Sequence, residues 1–222
     1  MSEKITVAIM CYGLYGYEYR SPEEMVSLID YFLRCGDYIA ALHRRDQLSG
    51  VVLCGGFTNP DHPGQSEAQT SAWYLQRLLK ILHNINIDGM VCLEEQSHNT
   101  VQKIVFTGYL MLHRDPFTAK ELIEAAKYNP EKARAMMATK QKWQKLSHNI
   151  VFICDRYQHL KVLLMLKHAR APLLPQDFQL RVKSFTRKDT QPNNSWIRQL
   201  AVAIRYLRQP TQFFNDLRVG GR

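Results

Sequence analysis

Four short runs of this chain are apolar at nearly every position: Ile5–Cys11, Gly50–Cys54, Gly89–Leu93 and Asn149–Cys154. A strand with one wet face alternates apolar and polar residues, whereas a strand covered on both faces does not. The four runs therefore predict buried strands. Between them the apolar spacing becomes helical. Ser21-Pro22-Glu23-Glu24 combines an N-cap, a proline at the first helical position and a capping-box glutamate. It opens a helix whose apolar face runs through Met25, Leu28, Ile29, Phe32 and Leu33. Ser66-Glu67-Ala68-Gln69 opens a second, with Trp73, Leu75, Leu78, Leu79 and Leu82 as its core face. Asn99-Thr100 opens a third, through Ile104, Val105, Tyr109 and Leu112. A fourth follows Tyr157, through Leu160, Leu163, Leu164 and Leu166.

Strands that alternate with helices predict an α/β fold: a mainly parallel sheet with helices on both faces. The length, 222 residues, fits one domain. Two segments depart from the alternation. Residues 115–148 form a polar stretch with a capping box at Thr118 and Glu121, a second start at Asn129-Pro130, and amphipathic spacing through Met136, Met137, Lys140 and Trp143. This reads as a helical insertion that covers the sheet edge or the site, or as an inert spacer. From about 171 the chain reads as a basic extension. Phe178–Phe185 alternates like an edge strand, Gln191–Ser195 is a turn, and Trp196, Leu200, Ile204 and Leu207 mark a last helix.

Composition adds little, but charge adds more. Hydrophobic residues make up 45% and charged residues 22%, which excludes a disordered or fibrous chain. No apolar run approaches the roughly 20 residues of a membrane span, and the first residues lack a secretory pattern. A cytoplasmic protein without a transmembrane anchor is expected. Residues 1–154 carry 16 basic and 16 acidic side chains, and residues 155–222 carry 13 and 4. The whole net charge of +9 thus lies in the last part. Such a region attracts anions, nucleic acid included. Arg181, Lys183, Arg187, Lys188, Arg198, Arg205 and Arg208 are the candidate phosphate contacts. The five cysteines form no CxxC pair and sit in apolar runs or a helical pattern, so they read as small buried hydrophobes. The histidines lack metal spacing, and no metal is expected.

The polar residues gather where strands end, which is where parallel sheets bind ligands. After the second strand comes Gly55-Gly56-Phe57-Thr58-Asn59-Pro60, then Ser66-Glu67-Ala68. Paired glycines let the backbone approach a ligand closely, and the helix start at Ser66 offers N–H groups to a phosphate or carboxylate. The third strand ends in Glu94-Glu95-Gln96-Ser97-His98-Asn99-Thr100. Asn99 or Thr100 caps a helix whatever the function. Glu94 is a candidate general base or an acceptor for a ribose or sugar hydroxyl. Asp155-Arg156-Tyr157-Gln158-His159-Leu160-Lys161 follows the fourth strand. The aromatic run Tyr12-Gly13-Leu14-Tyr15-Gly16-Tyr17 follows the first; its rings either stack on a base or pack as a loop.

Gly55-Gly56, Ser66-Glu67-Ala68, Glu94-x-x-Ser97-x-Asn99-Thr100, and Tyr157 with Lys161 together resemble the SanA/YdcF-like family, over roughly residues 5–170. The resemblance implies a Rossmann-like three-layer fold and a polar pocket built from these motifs. It implies association with S-adenosylmethionine in the cytosol, or with envelope maintenance where a membrane anchor is present. It assigns no reaction. The chain departs from the family pattern at Gln102 and Lys103, where a Glu-Asn pair is usual. It departs again at Gln158, where His is common, and at Lys161, where Arg is usual.

The leading expectation is therefore a pocket for a nucleotide-like or phosphorylated small molecule, with S-adenosylmethionine among the candidates. Its ligand-binding set is Gly55, Gly56, Ser66, Glu67, Ser97, Asn99, Thr100, Tyr157 and Lys161; Glu94 and Glu67 are the acid–base candidates. Two alternatives stand beside it: nucleic-acid or acidic-partner binding through the basic region, and a hydrolase or transferase acting on envelope precursors.

Overall fold

A computed structural model describes residues 3–11, 22–57, 63–114, 116–170 and 177–186, together with 201 and 204. The aromatic run Tyr12–Tyr17, Thr58–Pro60, the cap at Ser21, and Arg187, Lys188, Arg198, Arg205 and Arg208 lie outside the described residues, as does most of the expected last helix.

The strands are β1 (Ile5–Met10), β2 (Leu48–Cys54), β3 (Val91–Glu94), β4 (Asn149–Asp155) and β5 (Gln179–Phe185). The helices are α1 (Pro22–Arg44), α2 (Glu67–His83), α3 (Thr100–His113), α4 (Ala119–Tyr128), α5 (Pro130–Gln144) and α6 (His159–Arg170). All strands pair in parallel, in the order β3-β2-β1-β4-β5. The chain runs outward from β1 through β2 to β3, then returns to the other side of β1 for β4 and β5. This is a Rossmann-like three-layer α/β sandwich. Every residue of β1 and β4 is buried, as their unalternating sequence requires. β5 is one of the two edge strands, and its alternation survives as exposed Arg181 and Lys183 against half-buried Leu180 and Val182.

Two cores flank the sheet. α1 and α2 cover one face around Leu28, Tyr31, Ile39, Leu75 and Leu79. α3, α5 and α6 cover the other around Ile104, Met111, Trp143, Val162 and Met165. The expected capping box forms at Thr118, the helix start expected at Ser66 also proves to be a capping box, and Asn99 caps α3. The helix faces, however, match the expected ones only in part: Leu28, Phe32, Leu75, Leu79, Ile104, Val105 and Leu166 are buried, and others are not. Trp73 and Leu82 of α2 stand exposed, as do Ile29, Tyr109, Leu112, Leu160 and Leu163. Small residues make the actual contact of α2: Ala68, Ser71 and Ala72 are buried beside Leu75 and Leu79. A helix can approach a sheet closely along a stripe of small side chains, and that close approach sets its rotation. The 115–148 insertion forms α4 and α5. Trp143 anchors it in the second core, and Lys142 Nζ donates to Asp88 O (2.8 Å) just before β3. That bond lies at the amino end of the strand, away from the polar strand ends.

Candidate functional site

The carboxyl ends of β1, β2 and β3 are tied together by backbone bonds. Cys11 N donates to Cys54 O (2.9 Å) and Gly55 N to Glu94 O (2.9 Å). Gly56 N then reaches Ser97 O (2.8 Å) in the turn after β3. These bonds bring Gly55, Gly56, Ser66, Glu67, Glu94 and Ser97 into one neighbourhood, as the sequence motifs suggested.

The glycines serve this neighbourhood in a different way from the expected one. A Cβ on Gly55 would lie 2.6 Å from Glu67 Cβ, and one on Gly56 would lie 2.5 Å from Ser97 O. What approaches the glycine backbone is the protein's own chain. The start of α2 differs too, because its N–H groups are not free. Glu67 N donates to Gly56 O, Ala68 N to Gly55 O, and Gln69 N to Ser66 Oγ. Ser66 Oγ in turn donates to Glu95 Oε1 (2.6 Å), which fastens the helix start to the β3 turn. The expected anion seat is filled by carbonyls and a hydroxyl.

Glu67 meets a residue noted in the sequence only as a departure. Lys103 Nζ lies 2.8 Å from Glu67 Oε2, with the two side chains 3% and 6% exposed. The same ammonium donates to Cys11 O. Lys103 comes from α3 and Glu67 from α2, so the ion pair crosses from one helical layer to the other above the strand ends. A signal for it was present: Lys103 is the one Lys, Arg, Asp or Glu in α3, an otherwise apolar helix. A lone charge among apolar residues is rarely left without a partner. Glu95 was the other missed contributor.

Glu94 is fully buried. Its Oε1 accepts from the backbone N–H of Gln96 (2.8 Å) and Ser97 (2.9 Å), which holds the turn. Oε2 has no hydrogen-bond partner, nor has Ser97 Oγ, which is also fully buried. Burial pushes the Glu94 carboxyl up to about 7. The nearby Ser97 side chain, the two N–H groups and the Lys103 charge pull the other way. The Ser97 hydroxyl is thus close enough to favour the carboxylate, although it lies outside bonding geometry. Of the two acid–base candidates, Glu94 is the one poised to exchange a proton near neutrality. Glu67 is held as an ion-pair partner. Burial also pushes the thiols of Cys11, Cys92 and Cys154 up to about 12, and that of Cys54 well above its usual range. All five cysteines are free and buried, and they are packing residues.

Asn99 and Thr100 carry the same turn into α3, whereas Tyr157 and Lys161 come from another strand end. Asn99 Oδ1 accepts from Gln102 N (2.9 Å), and buried Thr100 opens α3. Gln102 Oε1 accepts from His98 N, so this departure from the family pattern also shapes the turn. Tyr157 and Lys161 follow β4, two strands from β2 and thus about 10 Å away. Tyr157 N donates to Asp155 Oδ1 (3.0 Å) in a short 3-10 turn before α6. In the basic region, Arg181 donates to Asn149 Oδ1 (2.7 Å), and Lys183 sits 4.6 Å from the Tyr38 ring centre. Both cations already have partners within the fold. Among the described residues no group of His, Cys, Asp and Glu is arranged to hold a metal ion, and no helix is long and apolar enough to cross a membrane. Compared with family models, curated proteins and solved structures, the chain matches none.

Proposed function

We propose that this chain is a cytoplasmic protein that binds a nucleoside-like small molecule at the carboxyl ends of its strands. S-adenosylmethionine is the first candidate. One observation carries the reading: backbone bonds between the ends of β1, β2 and β3 gather Gly55, Gly56, Ser66, Glu67, Glu94 and Ser97 at one place. The parallel sheet supports the same location, because ligands of such sheets lie beyond the carboxyl ends of the strands. The resemblance to the SanA/YdcF-like family supports the ligand class. Glu94 is the group that would take or give a proton if the bound molecule reacts.

The test is a thermal melt of the full chain with S-adenosylmethionine, S-adenosylhomocysteine, adenosine, common nucleotides and sugar nucleotides. A ligand at about 100 times its Kd stabilises by roughly 2.7 kcal/mol. For a domain of this size that raises Tm by about 5–10 °C. The rise should shrink in Ser97→Ala. If no compound moves the melt, the reading falls.

A further inference from the structure

We propose that the outer surface of α1 and α2 is the interface through which two copies of this chain form a two-fold dimer. The inference is independent of the ligand reading and uses other residues. An apolar groove of about 290 Å³ runs between the two helices. Buried Leu28 and Phe32 and half-buried Leu78 line it, and so do Ile29, Trp73 and Ile81, which stand 43%, 51% and 71% exposed. Large apolar side chains gathered together in water mark a contact surface, whereas single ones need no explanation. Trp73 is held in place at this groove. Its ring meets Tyr74 edge-on with centroids 4.6 Å apart, and the Arg77 guanidinium lies 4.6 Å from the Trp73 centroid. Tryptophan, tyrosine and arginine dominate the binding energy of protein interfaces.

Two features name a second copy as the occupant. The surface holds a groove and, at its rim, exposed apolar side chains that suit such a groove, so each copy offers what the other receives. A two-fold interface requires that self-complementarity. The charges divide in the same sense. Asp30 and Asp37 stand open to solvent on α1, and Arg77 and Lys80 on α2. Within one molecule Asp30 bonds Arg34 of its own helix and Asp37 bonds His83, while neither Arg77 nor Lys80 has an acidic partner among the described residues. Gly36 faces Leu79 and Asp37 reaches His83, so the helices lie side by side, with Asp37 level with the last turn of α2 and Asp30 with its middle. A two-fold axis along the helices lays α1 of one copy over α2 of the other. Asp37 of one copy then comes near Lys80 of the other, and Asp30 near Arg77, twice in each dimer. Opposite charges placed across a contact fix its register and partner.

The experiment is analytical ultracentrifugation of the full chain between about 1 and 100 μM, where a specific dimer of ordinary affinity forms and dissociates. Wild type should sediment with the mass of two chains at the upper end. Ile81→Glu puts a charge into the apolar contact and should raise the dimer Kd about a hundredfold or more. Ile81 is 71% exposed, so the fold itself should tolerate the change. Ile123→Glu, at an equally open position on α4, is the control and should leave the dimer intact. Lys80→Glu should weaken the dimer about tenfold, and adding Asp37→Lys should recover most of that loss by exchanging the two charges. A wild-type chain that stays a monomer throughout overturns the inference and leaves the groove to the chain's own C-terminal segment or to a different protein. A dimer that survives both Ile81→Glu and Trp73→Glu, or that Ile123→Glu breaks equally well, overturns it too. A charge exchange that recovers nothing overturns the placing of α1 over α2.

Discussion

Lys103 Nζ and Glu67 Oε2 lie 2.8 Å apart, both almost wholly buried, and they belong to helices on opposite faces of the sheet. The pair acts as a strap over the strand ends, with Cys11 O held by the same ammonium. Breaking a buried pair on one side leaves an uncompensated charge, whereas removing both partners need not be costly. Lys103→Met should therefore destabilise the fold by about 3–5 kcal/mol. The double variant Glu67→Gln, Lys103→Met should recover part of that loss. Urea denaturation of the two variants beside wild type decides it; equal losses would mean that the pair is not coupled.

The glycine pair makes a second prediction. Gly56→Ala places a Cβ 2.5 Å from Ser97 O and 2.8 Å from Glu95 O, both backbone atoms with little freedom to move. Overpacking of this kind costs about 1–3 kcal/mol, or roughly 2–10 °C in Tm. Gly64→Ala, which meets nothing within 4 Å, serves as the control and should leave the melt nearly unchanged.

Glu94 sets a pH dependence whose sign is fixed. Its folded pKa, about 7, lies above the ordinary 4.5, so the folded state holds the proton more tightly than the unfolded chain does. Its contribution to stability is fullest below about pH 4.5 and is lost as pH rises to about 7. The difference of about 2.5 pH units corresponds to roughly 3 kcal/mol. Glu94→Gln should flatten this part of the profile and leave the protein more stable than wild type at pH 8. Denaturation midpoints between pH 5 and 8 give the comparison, and parallel profiles for the two proteins would refute the assignment.

The cysteines give a chemical check on the packing. Thiols that are buried and held far from ionisation react slowly with disulfide reagents. The native protein at pH 8 should take up almost no Ellman's reagent, and the denatured chain should react at all five positions. Fast reaction of even one thiol in the native state would place that cysteine in an open environment.

Local signals in the sequence carried most of the fold. Apolar runs marked the strands, and side-chain caps at Ser66, Asn99 and Thr118 marked helix starts to the residue, because each depends on neighbours within one turn. The helix faces were less legible. Large apolar residues such as Trp73 and Leu82 draw attention in a periodicity reading, yet the stripe of Ala68, Ser71 and Ala72 decides which side of α2 meets the sheet. At the site, Glu94 and Ser97 were legible as polar residues beyond a strand. The partner of Glu67 was not, since Lys103 lies 36 positions away and only the strand order brings the two together. The glycines signalled a close approach correctly, but a glycine does not disclose what approaches it.

The strand order also bears on how the chain acquires its shape. β1 is the middle strand of the sheet, and its two neighbours come from distant parts of the sequence: Ile5 pairs with Leu48, and Thr6 with Ile150. On the ribosome, one flank of β1 can be covered early by β2 and β3, while the other waits until most of the chain has been made. During that interval an apolar strand keeps one row of backbone donors and acceptors open, the condition that favours association with other chains. Parallel pairing over such separations is intrinsically slow. Newly made protein should therefore depend on chaperones until β4 docks, and truncations that end before Asn149 should aggregate rather than fold.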